Sequence, residues 1–389
     1  MRPCLLAVLW FALTTCDPGK KPSNASIPSS KIEPPNVATV KAPRIELSPA
    51  RSPRGFALPK GCKLRQQHTA TLPPGDIRIV TASSQANEVA VAFDPGKGEE
   101  LQRGLLSRGR VSPVAWPWRS LEHPPLLDRS LRGWIGGSSH ATTSGIRELR
   151  LWRQWAHPVT VRRGDSLTLA DIRCTNNRCT LLTSLAKEAW APGASLLQGD
   201  PESGTSWRAT HVEPDDSEPW QPHSILEAST PGSAVLALHT PQKLAIWGVS
   251  EKRVQKIREF DTPHGVYGVS PNLAVFPLDD DTHCEPKPFT IGIGSDSPLQ
   301  RLEIPARPDG VVLKALGRQA WLAWIAPESC LVPQRKVMYA ARIDPKGRVT
   351  SGPLATTRAD GFALYAKDST LVYWVVREGK LIVVRSTCS

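Results

Sequence analysis

The chain has 389 residues, 40% of them hydrophobic and only 6% aromatic, and a formal net charge of +12. That length exceeds what one ordinary hydrophobic core supports, which excludes a single small domain and calls for a modular or multi-domain fold. The positive balance favours anionic partners such as phospholipid headgroups, lipopolysaccharide or acidic glycans.

The chain begins "MRPCLLAVLWFALTTC", one arginine followed by an apolar run from Leu5 to Leu13. The run is too short for a membrane-spanning helix, which needs about 20 residues. A charge and then a short apolar run is the layout of a secretory signal peptide. Its end, Leu13-Thr14-Thr15-Cys16, resembles the lipobox of bacterial lipoproteins, with Thr15 departing from the Gly, Ala or Ser usual there. The resemblance implies that residues 1–15 are removed and Cys16 is acylated. It also implies a chain anchored to a membrane in the cell envelope, facing the periplasm or the cell exterior. Export argues against a nucleic-acid partner. Residues 17–60 hold nine prolines and one aromatic, Phe56. Such an apolar-poor stretch cannot offset its ordering entropy, so residues 16–61 are expected to form a disordered tether. At about 3.1 Å per residue, its reach is on the order of 130 Å.

From residue 62 the sequence reads as short strands parted by turn residues, and an all-β fold is expected over 62–389. "KLRQQHTAT" (Lys63–Thr71) comes first. Sets of strands then begin at Asp76 ("DIRIVTAS", "NEVAVAFD", "GLLSRG"), at Leu131 ("LRGWIGG", "IRELRLWRQW", "VTVRRG") and at Asp171 ("DIRCTNN", "RCTLLTSL", "ASLLQGD", "WRATHVE"). Three more four-strand sets run over 224–261, 266–306 and 310–355. The last, "GFALYAKDS", "TLVYWVVRE" and "GKLIVVRS", has only three strands. Four strands every ~40 to 50 residues is the arithmetic of a β-propeller blade, which predicts about seven four-stranded blades. Lys63–Thr71 is the candidate for the outer strand that the last blade lacks. Tandem β-sandwiches are the alternative, but they give no reason for the missing strand.

Setting aside Cys4 and Cys16, six cysteines remain in an exported chain, which points to disulfides. Cys174 and Cys179 flank the polar stretch Thr175-Asn176-Asn177-Arg178 and are expected to bridge across a hairpin. Cys284 and Cys330 follow the second strands of adjacent blades and form a second expected pair. Cys62 and Cys388 are left to fasten the two ends of the ring, a bridge that the chain-entropy relation puts on the order of 5 kcal/mol.

Signals for chemistry are sparse. The nine histidines show no H-x-H or H-E-x-x-H spacing and the cysteines no C-x-x-C, so neither a metal nor a cofactor is expected. The acidic segments "LDDDTHCE" (Leu278–Glu285) and "HVEPDDSEP" (His211–Pro219) read as solvated loops rather than calcium sites. "DPGKGEE" lacks P-loop spacing, and "GGSSHATTSG" (Gly136–Gly145) reads as a hairpin loop rather than a catalytic Ser139–His140 site. Asp76, Asp171 and Glu227 are the acids on expected inner strands, and inner strands at Leu131, Val266, Val311 and Phe362 offer none. Residues 103–163 hold eleven arginines and five tryptophans. Arg147, Arg150, Arg153, Trp152 and Trp155 are therefore a candidate surface for an anionic ligand. The competing reading lays outer arginines over tryptophans packed between blades. The expected function is a monomeric, membrane-tethered, non-catalytic scaffold binding a protein or anionic envelope component. The alternative is a propeller hydrolase or lyase acting on envelope polysaccharide.

Overall fold

The structure, a computed structural model, describes residues 56–389 except 73–75, 84–87, 95–101, 108–109, 114–125, 154–157, 166, 185–192, 204–205, 213–218, 231–232, 251–252, 263, 280–287, 317–318 and 329–332. Cys16, Trp155, Cys284 and Cys330 lie outside the described residues, as do Trp116, Trp118 and most of both acidic segments.

Strand β1 (Cys62–Thr71) opens the chain but belongs to the last blade. Blade 1 holds β2 (Asp76–Ala82), β3 (Val89–Asp94), β4 (Gln102–Ser107) and β5 (Arg110–Pro113). Blade 2 holds β6 (Leu126–Ser130), β7 (Gly133–Ala141), β8 (Arg147–Arg153) and β9 (Val159–Gly164). Blade 3 holds β10 (Leu169–Thr175), β11 (Arg178–Ser184), β12 (Ala194–Gly199) and β13 (Arg208–Val212). Blade 4 holds β14 (Gln221–Thr230), β15 (Ser233–His239), β16 (Lys243–Val249) and β17 (Val254–Asp261). Blade 5 holds β18 (Gly268–Val269), β19 (Ala274–Pro277), β20 (Phe289–Gly294) and β21 (Gln300–Ile304). Blade 6 holds β22 (Gly310–Leu316), β23 (Gln319–Pro327), β24 (Lys336–Ile343) and β25 (Val349–Arg358). In blade 7, β26 (Gly361–Lys367), β27 (Thr370–Arg377) and β28 (Lys380–Cys388) are completed by β1. The fold is a seven-bladed β-propeller.

Packing shows that the ring is closed. Among the described residues seven hydrophobic clusters form, each shared by two neighbouring blades, and one of them joins Trp374 and Val376 of blade 7 to Val89 and Val91 of blade 1. A blade is thus buried on both faces, which is why its middle strands are near-continuous apolar runs such as "TLVYWVV" rather than alternating patterns. The outermost strands leave this core: β1 is exposed along nearly its whole length.

Lys63–Thr71 does close the last blade, pairing antiparallel with β28 in a register that sets Cys62 opposite Cys388. Those two residues form a disulfide with a Cα–Cα distance of 4.1 Å. Docking begins before the strand: Phe56 packs on Tyr373 at 5.1 Å, and the Ala57 amide donates to the Thr356 carbonyl.

Three expectations need correction. Leu131 does not open an inner strand; it lies in the turn after β6, and "GWIGG" forms the second strand of its blade. For the same reason Gly136–Ala141 is strand, not hairpin loop, and the β7–β8 turn falls at 142–146. Blade 1 also carries a fourth strand, β5, which the sequence reading lacked.

Candidate functional site

The innermost strands of the blades run side by side around the axis and line two cavities. One, of about 300 Å³, is lined from blades 1, 2, 3, 6 and 7. The other, of about 440 Å³, is lined from blades 1, 3, 4, 5, 6 and 7 and includes His223 and Glu227. Arg173 of β10 and Lys314 of β22 line both, together with Val312 and Leu364. These four residues, the lining that the two cavities share, are the waist between them.

Two aspartates hold this region together. Asp128 on β6 accepts the Cys174 amide of the next blade at 2.7 Å through Oδ2. Asp171 on β10 repeats the device one blade on, accepting the Ile225 amide at 2.8 Å through Oδ2, while its Oδ1 takes the Ile172 amide. Each is a charge-assisted clasp between neighbouring inner strands. Asp128 escaped the sequence reading because the blade 2 inner strand was displaced to Leu131. The side chain of Asp76 is not among those described.

Charge at the waist is balanced but unevenly engaged. Arg173 Nε lies 3.4 Å from Asp171 Oδ2 in an ion pair, yet it is buried without completing a hydrogen bond. Burial, and secondarily the Arg173 charge, lowers the Lys314 amine to about 8, against partial compensation from Asp171 and Asp128. Burial likewise lowers His223, at the wall of the larger cavity, to about 4, helped by His239, whose ring stands edge-on at 5.6 Å.

The arginine-rich region lies on blade 2 and its border with blade 3. Glu148 is shared by Arg150, at 2.6 Å, and Arg163, at 2.9 Å. Glu202 of blade 3 is shared by Arg132, at 2.6 Å, and Arg153. Hydrogen bonds from Arg150 and Arg132 respectively hold these two carboxyls below the usual range. Trp152 is 3% exposed and packs with Trp134, Leu127 and Ala90 between blades 1 and 2. His140 stands edge-on to Trp152 and hydrogen-bonds Ser138, two residues back on the same strand face, at 2.6 Å, rather than Ser139. Arg147 is half-buried at the start of β8.

In blade 3 the expected bridge between Cys174 and Cys179 is present, with a Cα–Cα distance of 4.0 Å. The turn it spans is tighter than the four residues expected, because Thr175 and Arg178 also pair and leave Asn176–Asn177 as the loop. Asn176 takes a left-handed φ of 55°, a conformation asparagine tolerates better than most residues. Among the described residues, no group of three or more His, Cys, Asp or Glu gathers in metal-binding geometry.

No protein-family model and no curated protein matches the chain. Solved structures similar to it include a subtype N10 neuraminidase-like protein of A/little yellow-shouldered bat/Guatemala/060/2010 (13% identity, 84% of this chain and 100% of that one, TM-score 0.43). Virginiamycin B lyase from Staphylococcus aureus shows 13% identity over 83% of this chain and 99% of that one, with a TM-score of 0.42. The β-propeller domain of the Trilobed protease from Pyrococcus furiosus shows 11% identity over 82% of this chain and 94% of that one, with a TM-score of 0.43. The likeness is one of architecture alone.

Proposed function

We propose that this chain is a membrane-tethered binding lipoprotein of the cell envelope, anchored through acylated Cys16, whose non-catalytic propeller recognises an anionic envelope component or a protein bearing one. The observation that carries this reading is the sharing of Glu148 and Glu202, each by two arginines. Each carboxylate orients two guanidinium groups and neutralises one, so the rim of blades 2 and 3 presents cations in excess, held in fixed directions. A floppy arginine would lose rotamer freedom on binding; an oriented one has less to lose. Binding is favoured over polysaccharide hydrolysis because Asp128 and Asp171 are engaged in clasping neighbouring strands, which leaves Glu227 alone among the described inner-strand acids facing the larger cavity. A glycosidase needs an acid and a base or nucleophile free to reach the scissile bond.

Two measurements test the reading. Full-length protein should be retained on immobilised lipopolysaccharide, and Arg147→Gln/Arg150→Gln/Arg153→Gln should elute at clearly lower salt while unfolding at a similar temperature. Equal elution of the two proteins would remove the rim as a binding surface. Cys16→Ser should release the protein from the membrane fraction; a wild-type mass showing no acyl chain would remove the anchor.

A further inference from the structure

Donors outnumber acceptors at the channel waist. Arg173 offers five N–H groups in a planar fork and a protonated Lys314 offers three. Lys314 is half-buried with its amine toward the cavities, and Arg173 Nε is buried without a hydrogen-bond partner although it is ion-paired to Asp171. The nearby carboxylate oxygens already serve backbone amides: Asp171 uses both of its oxygens in this way, and Asp128 Oδ2 is bound to Cys174 N. Two cationic side chains that border the same two cavities mark a place where an anion fits.

The waist is also reachable. Arg173 and Lys314 border both cavities, of about 300 and 440 Å³, so a ligand in either one can reach them. They come from blades 3 and 6, on opposite sides of the ring, so one small group between them would be held from two sides. Burial and the Arg173 charge already make the Lys314 ammonium unfavourable, and a negative charge placed there would relieve both.

We propose that the waist of the axial channel is an oxyanion site, in which Arg173 and Lys314 together bind one carboxylate or phosphate group of a ligand entering along the axis. The site is separate from the arginine rim of blades 2 and 3, so either can fail without the other.

The test follows the reactivity of the Lys314 amine in full-length protein. Lysines are acylated with a neutral reagent across a pH series at constant ionic strength in chloride, and modification is read peptide by peptide by mass spectrometry. Tens of millimolar inorganic phosphate or acetate should move the Lys314 midpoint upward by about one unit, giving about fivefold protection at the free midpoint and approaching about tenfold well below it. Lys367 and Lys380 serve as internal controls and should not respond. Protection by phosphate alone narrows the ligand group to a phosphate, and protection by both anions admits carboxylates. Arg173→Gln should raise the midpoint without ligand and abolish the response, whereas the rim triple variant should keep it. A Lys314 midpoint unmoved by either anion overturns the proposal. Thermal unfolding gives a second readout, in which anions raise the midpoint of wild type but not of Lys314→Met; equal shifts in the two proteins likewise overturn it.

Discussion

Blades 7 and 3 each carry a disulfide between directly opposed residues of an antiparallel pair, with Cα–Cα distances of 4.1 and 4.0 Å. The bonds are locally alike, and yet they do different things. In blade 7 the cysteines are 326 residues apart and join the first strand of the propeller to its last. In blade 3 they are 5 apart and close a hairpin that its own backbone already closes. The chain-entropy relation assigns the long loop on the order of 5 kcal/mol and the short one about 2. What the short bridge supplies is direction: it fixes Cys174, whose amide Asp128 clasps, immediately after Arg173 on the strand that also carries Asp171. One bond governs whether the ring holds together, and the other how its axis is arranged.

The comparison can be broken by removing each bond separately. Cys62→Ser/Cys388→Ser should lower the unfolding free energy by about 5 kcal/mol in chemical denaturation, with β1 and β28 amides exchanging first. It should leave Lys314 reactivity unchanged. A loss below about 1 kcal/mol would mean that β1 pairing and the blade 7 clusters close the ring without the bond. Next in size is the clasp. Asp171→Ala removes acceptors from the Ile172 and Ile225 amides and should cost about 3 kcal/mol in the same assay. Asp171→Asn, which keeps one acceptor but turns an NH2 group toward the other amide, should recover part of that loss; no recovery would show that a single acceptor cannot hold the blades there. Cys174→Ser/Cys179→Ser should cost about 2 kcal/mol but, unlike the seam variant, should shift Lys314 labelling. If the two disulfide variants perturb Lys314 alike, the contrast between the blades fails.

How much of this was legible in the sequence differs between rim and axis. Blade count and closure could be read because they leave repeated local marks: apolar runs at a steady period, a final set one strand short, and cysteines at the two ends. The inner strand of blade 2 could not. Leu126–Ser130 has five residues, follows Pro124 and Pro125, and contains Asp-Arg, so its β signal is weaker than that of the adjoining "GWIGG". That one displacement hid Asp128. Lys314 was hidden differently: in "VVLKALG" it is an ordinary strand lysine, and its meeting with Arg173 depends on ring closure, a separation no local pattern encodes. The paired arginines of blade 2 stood out by composition, but their carboxylate partners did not. Glu202 lies on another blade, about fifty residues after the nearer of its two arginines.

The smallest expected effect belongs to the axis itself and has a definite sign. Lys314 ionises at about 8 in the folded protein, below the ordinary lysine value near 10.5 that applies when unfolded. Between those values the unfolded chain binds more protons, so this group makes stability rise with pH over about 8 to 10.5 and adds a constant penalty below about 8. Lys314→Met removes that penalty. Without added phosphate or carboxylate, the variant should be more stable than wild type at pH 7 by about 1–2 kcal/mol, since a channel-facing amine keeps part of its hydration and the full shift would overstate the cost. The advantage should shrink through pH 9 and vanish above about 10.5. Other titrating groups cancel in the difference between the two proteins, so the curve reports Lys314 alone. An advantage that does not change with pH would mean that the substituted side chain gains by packing against Val312 and Leu364 rather than by relieving a charge. In that case the waist would be an apolar constriction with a lysine passing through it, and its likeness to the mechanical seam of blade 7 would outweigh the contrast.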